Sequence, residues 1–286
     1  MYPFLNMGSK PEKQLIVNAD DYGTNAPRNR GIVEASRKGI VTTTSVIANS
    51  MKPGDSLVDL RDAFGTRIGV HLNLTMGAPL SAGATTLTGP SGAFWDKETV
   101  WRKALRGDLD LTRVEEEFAA QIRHLLKLGI VPDHVDGNNH IHVFPGIAEL
   151  AARAGSSFGI TWVRLPLEPF SRWHHRFMRN SRKKSFIGRL ARRAAPVFAA
   201  HCLRFTDTFA GIQFPLVSKL ESLRAFVANL PHGTTELMCH PGYRDPEAGH
   251  FSSAEREHEL SVLTDQAVLD DIRRFGIRLI SYGDLR

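Results

Sequence analysis

The chain has 286 residues, 42% of them hydrophobic and 23% charged, with a formal net charge of +6. That composition is of a folded protein with a sizeable core, long for one ordinary domain but within the range of a single α/β barrel. No window approaches the roughly 18 consecutive apolar residues of a membrane span, and residues 1–12 lack a basic-then-apolar leader pattern. The two cysteines, Cys202 and Cys239, form no disulfide framework, which makes a reducing cytoplasm the default setting.

Residues 1–13 read as an irregular lead-in and 14–286 as one domain. Strand-like runs fall at 14–19, 44–49, 67–73, 133–136, 160–165, 208–212, 236–239 and 278–281. Helical periodicity falls at 27–38, 54–64, 112–128, 145–158, 217–229 and 254–275. The helix from Thr112 is the clearest: Val114, Phe118, Ile122, Leu125 and Leu126 share a face, Gly129 ends it, and Thr112 with Glu115 has capping-box spacing. Strand–helix alternation predicts a parallel sheet, and about eight units favour a distorted (β/α) TIM-like barrel over an open sheet. Residues 77–110, rich in Gly, Pro, Ser and Thr, read as mostly loop. A basic insertion at about 170–205 also breaks the alternation.

Polar residues collect at the C-terminal ends of these strands. The first run, Leu15-Ile16-Val17-Asn18-Ala19, ends in Asp20-Asp21. Two adjacent carboxylates at the rim of a core repel and are costly to desolvate unless a cation or a shared proton lies between them. They suit a divalent metal and a proton-transfer role, or else a solvated turn. His71 ends the third run, beside Asn73. His134, Asp136, Asn138, His140 and His142 lie in and after the fourth, and His240 closes a late one, followed by Pro241-Gly242-Tyr243. In a parallel barrel such ends converge on one face, where active sites form. Carboxylates and imidazoles without cysteine favour Zn²⁺, Mg²⁺ or Mn²⁺. Such an ion acidifies water and polarises a carbonyl, while a second carboxylate takes a proton and a histidine returns one. These are the parts of a metal-assisted hydrolase acting on an amide or ester.

Five blocks, in order, resemble the YdjC/ChbG-like carbohydrate deacetylases: Ile16 to Gly23, Gly39 to Ser45, Gly69 to Thr75, His134 to Pro145, and Met238 to Gly242. The resemblance implies a distorted barrel that removes N-acetyl groups from amino sugars using one bound divalent metal. It implies Asp20 as general base, Asp21 and His71 as metal ligands, His240 as general acid, and Arg164 beside the catalytic carboxylate. Asn73, Asp136, His140 and Tyr243 are expected to support the site or bind substrate. The sequence departs from the family at the third ligand, usually a histidine, where Asn138 stands. An amide oxygen suits Mg²⁺ better than Zn²⁺. Asn138 is the expected third ligand, with His140 as a replacement or a metal-poor site as the other outcomes.

Between Glu168 and Asp207 there are ten arginines and lysines and no acid; without those ten, 26 basic residues face 30 acidic ones, a net of −4. Ile187, Leu190, Ala194 and Val197 recur at helical spacing with Arg189, Arg192 and Arg193 on other faces. This amphipathic basic pattern fits peripheral contact with an anionic membrane on the cytoplasmic side, or a helix lying over the barrel. No nucleic-acid motif accompanies it, so no nucleic-acid partner is expected. The wording from Asp136 to Pro145 and the basic insertion resemble a branch of the family acting in hopanoid biosynthesis, which implies an amino sugar linked to a lipid. A soluble chitooligosaccharide, another bond such as a phosphoester, and a non-catalytic carbohydrate-binding barrel are the alternatives.

Overall fold

A computed structural model describes residues 12–51, 57–169, 181–212, 217, 219–245 and 253–285. Among them the strands are β1 (Lys13–Tyr22), β2 (Thr43–Val46), β3 (Ile68–Leu72), β4 (Val135–Gly137), β5 (Thr208–Ala210), β6 (Gly233–Cys239) and β7 (Arg278–Leu279). All pair in parallel, in the order β4-β3-β2-β1-β6-β5. β7 joins the N-terminal half of β1, opposite Gln14 and Leu15, and β2 joins its C-terminal half, from Asn18 to Tyr22. β1 is thus the axis of a curved half-barrel with helices outside it.

The helices are α1 (Ala26–Lys38), α2 (Leu57–Phe64), α3 (Lys97–Arg106), α4 (Leu111–Lys127), α5 (Ile147–Ser157), α6 (Ser181–Ala200), α7 (Leu220–Ala228), α8 (Ala254–Leu263) and α9 (Gln266–Arg274). In α1 the Asn25 side chain caps by accepting from the Arg28 amide, Pro27 occupies the first turn, and Arg37 and Lys38 sit in the last turn, where the dipole favours cations. Val114, Phe118, Ile122 and Leu125 of α4 are fully buried.

Four sequence expectations change. The run at 160–165 is not a full strand: Val163 bridges to Val135 and Trp162 to Arg204. Those two contacts extend the curve beyond β4 and bring Arg164 to the interior. The helix expected at 254–275 is two helices, because the Asp265 side chain caps α9 by accepting from Ala267. Residues 77–110 contain α3, capped by Asp96 and closed by a left-handed Gly107. The cap of α4 is Asp110, accepting from the Arg113 amide, rather than a Thr112–Glu115 box. Residues 1–11 of the lead-in, the start of the helix expected at 54–64, and Arg172, Arg176 and Arg179 lie outside the described residues.

Alternation along β1 sorts its two faces. Leu15, Val17 and Ala19 join the main core under the helices, while Ile16 belongs to a small separate cluster with Ile280 and Tyr282. The register places Glu236 of β6 opposite Ile16. Above that small apolar floor the interior is polar. Gly69 shows how tightly it is filled, since a Cβ there would fall 2.3 Å from the His134 ring.

Candidate active site

The Asp20-Asp21 pair sits where the β1–β2 register is interrupted between Ala19 and Tyr22. Asp21 adopts φ 72°, a left-handed conformation that few non-glycine residues take up. The irregularity breaks the alternation, so the two carboxylates find different partners. Asp20 is 2% exposed and held through both oxygens by Arg164, with Nη1 donating to Oδ2 and Nη2 to Oδ1, each at 2.7 Å. The Asn18 amide donates to Asp20 Oδ1 at 2.7 Å. Asp21 Oδ2 accepts from Arg28 Nη1 at 3.0 Å, and its Oδ1 lies 3.6 Å from His71 Nε2, beyond hydrogen-bond length.

His71 and Asp136 are direct neighbours in the β3–β4 register. His71 Nδ1 lies 2.7 Å from Asp136 Oδ1, which places a proton on Nδ1 and turns Nε2 towards Asp21. Ser45 Oγ of β2 donates to Asp136 Oδ2 at 2.9 Å, and Arg164 Nη1 lies at the same distance from that oxygen. Arg164 is fully buried and uses its Nε on Glu236 Oε1 at 2.6 Å, while its guanidinium stands 5.7 Å over the Phe209 ring. It is therefore an interior hub bonded to three carboxylates rather than a surface ion pair.

The electrostatics follow from burial set against these partners. Burial favours the neutral acid, yet Arg164 holds Asp20 well below the usual carboxylate range, and Arg28 does the same for Asp21. Asp136 is likewise lowered, against burial, by Arg164 and His71. At Glu236 burial wins and the carboxyl is pushed up. His71 moves up to about 9: burial opposes its charge, but Asp136, Asp20 and Asp21 outweigh it. Three buried carboxylates held in the charged form thus face two buried guanidiniums and a His71 that their field favours in its charged form, so an ion bound at His71 Nε2 would replace its proton. Asp20, His71 and Asp136 form a buried group whose ligand atoms lie within 4.8 Å of one another, a cluster able to hold a metal ion. Within it, Arg164 occupies both Asp20 oxygens and Asp136 occupies His71 Nδ1. Asp21 Oδ1 and His71 Nε2 are the facing pair with no such commitment to each other.

His240, just after β6, closes the opposite rim, with Nε2 4.0 Å from Asp20 Oδ2 and a side chain 23% exposed, so a substrate can reach it. Burial and then Arg256 push its pKa down to about 3. Its backbone amide donates to Glu259 Oε2 of α8 at 2.7 Å, which fixes the turn. After β3, Gln121 of α4 clamps Asn73 through both backbone groups, accepting from its amide at 2.9 Å and donating to its carbonyl at 2.7 Å. Asn73 Oδ1 in turn accepts from Asn138 Nδ2 at 3.1 Å, and Thr75 Oγ1 accepts from the same nitrogen at 3.1 Å. With both amide hydrogens used, the Asn138 oxygen is the atom left to act as a ligand.

Asn139 and His140 are both left-handed, at φ 54° and 58°. Consecutive non-glycine residues in that region mark a turn whose strain the surroundings must support. It places His140 edge-on to Phe209, with ring centroids 6.3 Å apart, and buries His142, which contacts the Arg164 carbonyl through Nε2 at 3.0 Å. Tyr243 turns to α1 instead: its hydroxyl donates to Glu34, and Arg30 stands 5.9 Å over its ring. On α6, Ile187, Leu190, Ala191, Ala194 and Phe198 are buried, so the apolar face of the basic pattern is spent inside the protein. Arg189, Arg192 and Arg193 remain exposed.

Sequence reasoning missed Glu236, Arg28, Ser45 and Asn18. Glu236 carried a signal: with Met238 and His240 it alternates along one strand face, and a carboxylate in mid-strand needs a buried partner. Arg28 carried none, for it reads as an ordinary helical cation.

Residues 14–274 match the family described as YdjC-like protein. Carbohydrate deacetylases from Homo sapiens and Mus musculus are each 34% identical, over 97% and 96% of this chain and 92% and 96% of their own. A carbohydrate deacetylase from Danio rerio is 32% identical over 96% of this chain and 99% of its own. Among solved structures, a proposed cellobiose-phosphate cleavage protein from Enterococcus faecalis superposes with a TM-score of 0.74 at 24% identity, covering 96% of this chain and 99% of that one. That likeness shows the fold, an α/β barrel of the TIM-like kind.

Proposed function

Since the chain belongs to the YdjC-like family, we propose that it is a carbohydrate deacetylase, hydrolysing the N-acetyl amide of an N-acetylglucosamine-containing substrate. The observation that carries the reading is the division of the Asp20-Asp21 pair, one clamped by Arg164 and one turned towards His71 Nε2 at 3.6 Å. The donor set fits a divalent metal: clustered buried carboxylates that already draw positive charge onto His71, and an imidazole whose outer nitrogen is fixed by a carboxylate, as ligating histidines usually are. Asp21 Oδ1, His71 Nε2 and the Asn138 amide oxygen would hold the ion, with Zn²⁺, Mg²⁺ and Mn²⁺ all compatible. When bound, it supplies charge that acidifies water and polarises the acetyl carbonyl.

The chain's own groups manage the proton. Arg164 keeps Asp20 ionised and oriented, so that it can accept a proton from the attacking water. Across 4.0 Å stands His240, whose low proton affinity makes its protonated form a strong acid. A proton passed from Asp20 to His240 is delivered to the amine nitrogen as the C–N bond breaks. Asn73, Asp136 and His140 hold the rim in shape, and Tyr243 borders it from the side of α1. Residues 14–286 act as one catalytic unit with an insertion at about 170–205.

For the substrate we favour a lipid-linked amino sugar, of the kind that a hopanoid-modifying enzyme would meet at the inner membrane surface, over a soluble chitooligosaccharide. Exposed Arg189, Arg192 and Arg193 support it, since a cation near an anionic surface is worth about 1 kcal/mol. With the apolar face of α6 buried, that contact would be electrostatic rather than insertion. No described helix is long and apolar enough to cross a membrane. Acetate release from N-acetylated glycolipids and chitooligosaccharides, with chelator and with each added metal, tests the activity; no release from any of them refutes it. Co-sedimentation with anionic liposomes at low salt tests the surface contact.

A further inference from the structure

Arg28 is a buried charge with few partners among the described residues. It is completely buried, yet it meets Asp21 through a single bond, Nη1 to Oδ2 at 3.0 Å. Its Nε and Nη2 have no hydrogen-bond partner among the described residues. A guanidinium serving only to tie two elements together would present its fork to both carboxylate oxygens, as Arg164 does to Asp20. Arg28 instead takes one oxygen of Asp21 and leaves the other.

The packing keeps it in that pose. Gly242, in the turn after His240, lies directly on the Arg28 side chain: a Cβ on Gly242 would stand 3.1 Å from Arg28 Cδ and Nε. One turn along α1, a Cβ on Gly31 would fall 2.5 Å from the Gly242 Cα. Two glycines therefore let the His240 turn close over Arg28 and shut water away from it. The Tyr243 amide, donating to the Pro27 carbonyl at 3.1 Å, holds the closed turn to the start of α1.

We infer that Arg28 is a positioning residue for metal binding: by engaging Asp21 Oδ2 alone, it turns Oδ1 towards His71 Nε2. It offsets the charge of Asp21 before an ion arrives and prevents the carboxylate from rotating onto a different partner. The His240 turn, with Gly242, serves the same end by sealing Arg28 in place. This inference rests on Asp21 and His71 being metal ligands, as proposed above.

The test is calorimetric titration of the metal-free, full-length protein with Zn²⁺ and Co²⁺, read beside thermal unfolding and the Co²⁺ absorption spectrum. Arg28→Met is expected to weaken binding by roughly 10–100-fold, the usual effect of losing a group that orients a ligand, and to alter the Co²⁺ spectrum. Arg28→Lys, which keeps the charge, is expected to recover part of the affinity. Gly242→Ala, which crowds Arg28 without touching Asp21, is expected to fall between wild type and Arg28→Met. It decides the matter if Arg28→Met does not fold. Wild-type affinity in a folded Arg28→Met, or failing that in Gly242→Ala, overturns the inference. Absence of metal binding by the wild type overturns the ligand assignment and this inference with it. Wild-type binding retained in Asp21→Asn does the same, and so separates a wrong ligand from a wrong role for Arg28.

Discussion

Arg164 grips Asp20 through both ends of its guanidinium, 2.7 Å to each carboxylate oxygen, with neither partner open to solvent. Lysine cannot reproduce that fork. Arg164→Met should therefore cost about 3–5 kcal/mol of stability, because three buried carboxylates lose their common partner. Arg164→Lys should fold better but deacetylate poorly. Urea unfolding and an acetate-release assay check the two halves separately.

Asp20→Asn keeps the side-chain shape but cannot accept a proton, and its NH2 replaces one of the two acceptors of Arg164. It is expected to retain bound metal while activity falls by about 10²–10⁴-fold, the range for losing a general acid–base group. His71→Ala should lose both. Metal content by mass spectrometry of the purified variants, set beside their turnover, distinguishes them; full activity in Asp20→Asn removes the general-base role.

Asn138 is the site's weakest proposed ligand. Asn138→Ala should lower metal content, whereas Asn138→His should shift preference towards Zn²⁺, since imidazole is the better donor for that ion. Competition between Zn²⁺ and Mg²⁺ measures the shift. Unchanged metal content in Asn138→Ala excludes a ligand role.

Glu236 supports Arg164 from beneath. Glu236→Gln keeps an acceptor for Arg164 Nε, and because burial already pushes the carboxyl up, losing the charge should cost little. Glu236→Ala leaves the Arg164 Nε donor without its acceptor and should cost about 1–3 kcal/mol or more. Unfolding curves for the pair test whether shape or charge is what Arg164 requires.

His142 gives the fold an acid limit. It is fully buried, and burial lowers its pKa from 6.5 to about 4. Between those values the unfolded chain binds the extra proton, so stability falls as pH drops from 6.5 towards 4. The shift corresponds to about 3 kcal/mol in total. His142→Gln should flatten that part of the stability–pH curve.

Much of this arrangement is legible in the chain because a parallel barrel gathers its strand ends, so Asp20, His71, Asp136 and His240 fall together once the alternation is read. What is not legible depends on contacts that periodicity does not encode. Val163 and Trp162 make two bridges rather than a ladder, although the run reads as a strand. Helix α3 buries little beyond Val100 and Ala104, too short a stripe to stand out among the glycines and prolines. Nor does periodicity separate Asp20 from Asp21, which only the family resemblance divides: a register break turns one to Arg164 and the other to Arg28. The pairing of Arg28 with Asp21, seven residues earlier, exists only once β1 has turned into α1.

Gln121 carries a consequence of its own. By meeting both backbone groups of Asn73, its side-chain amide does what the next strand of a sheet would do, and it does so from a helix. The backbone just past β3 is thereby moored outside the sheet, while Asn49, the Met76 carbonyl and Asn138 hold the Asn73 side chain. Gln121→Leu would cut that mooring while leaving every strand pairing intact. The reactive rim is thus braced from α4 as well as from the sheet, and a change in that helix is felt at the site without passing through a strand.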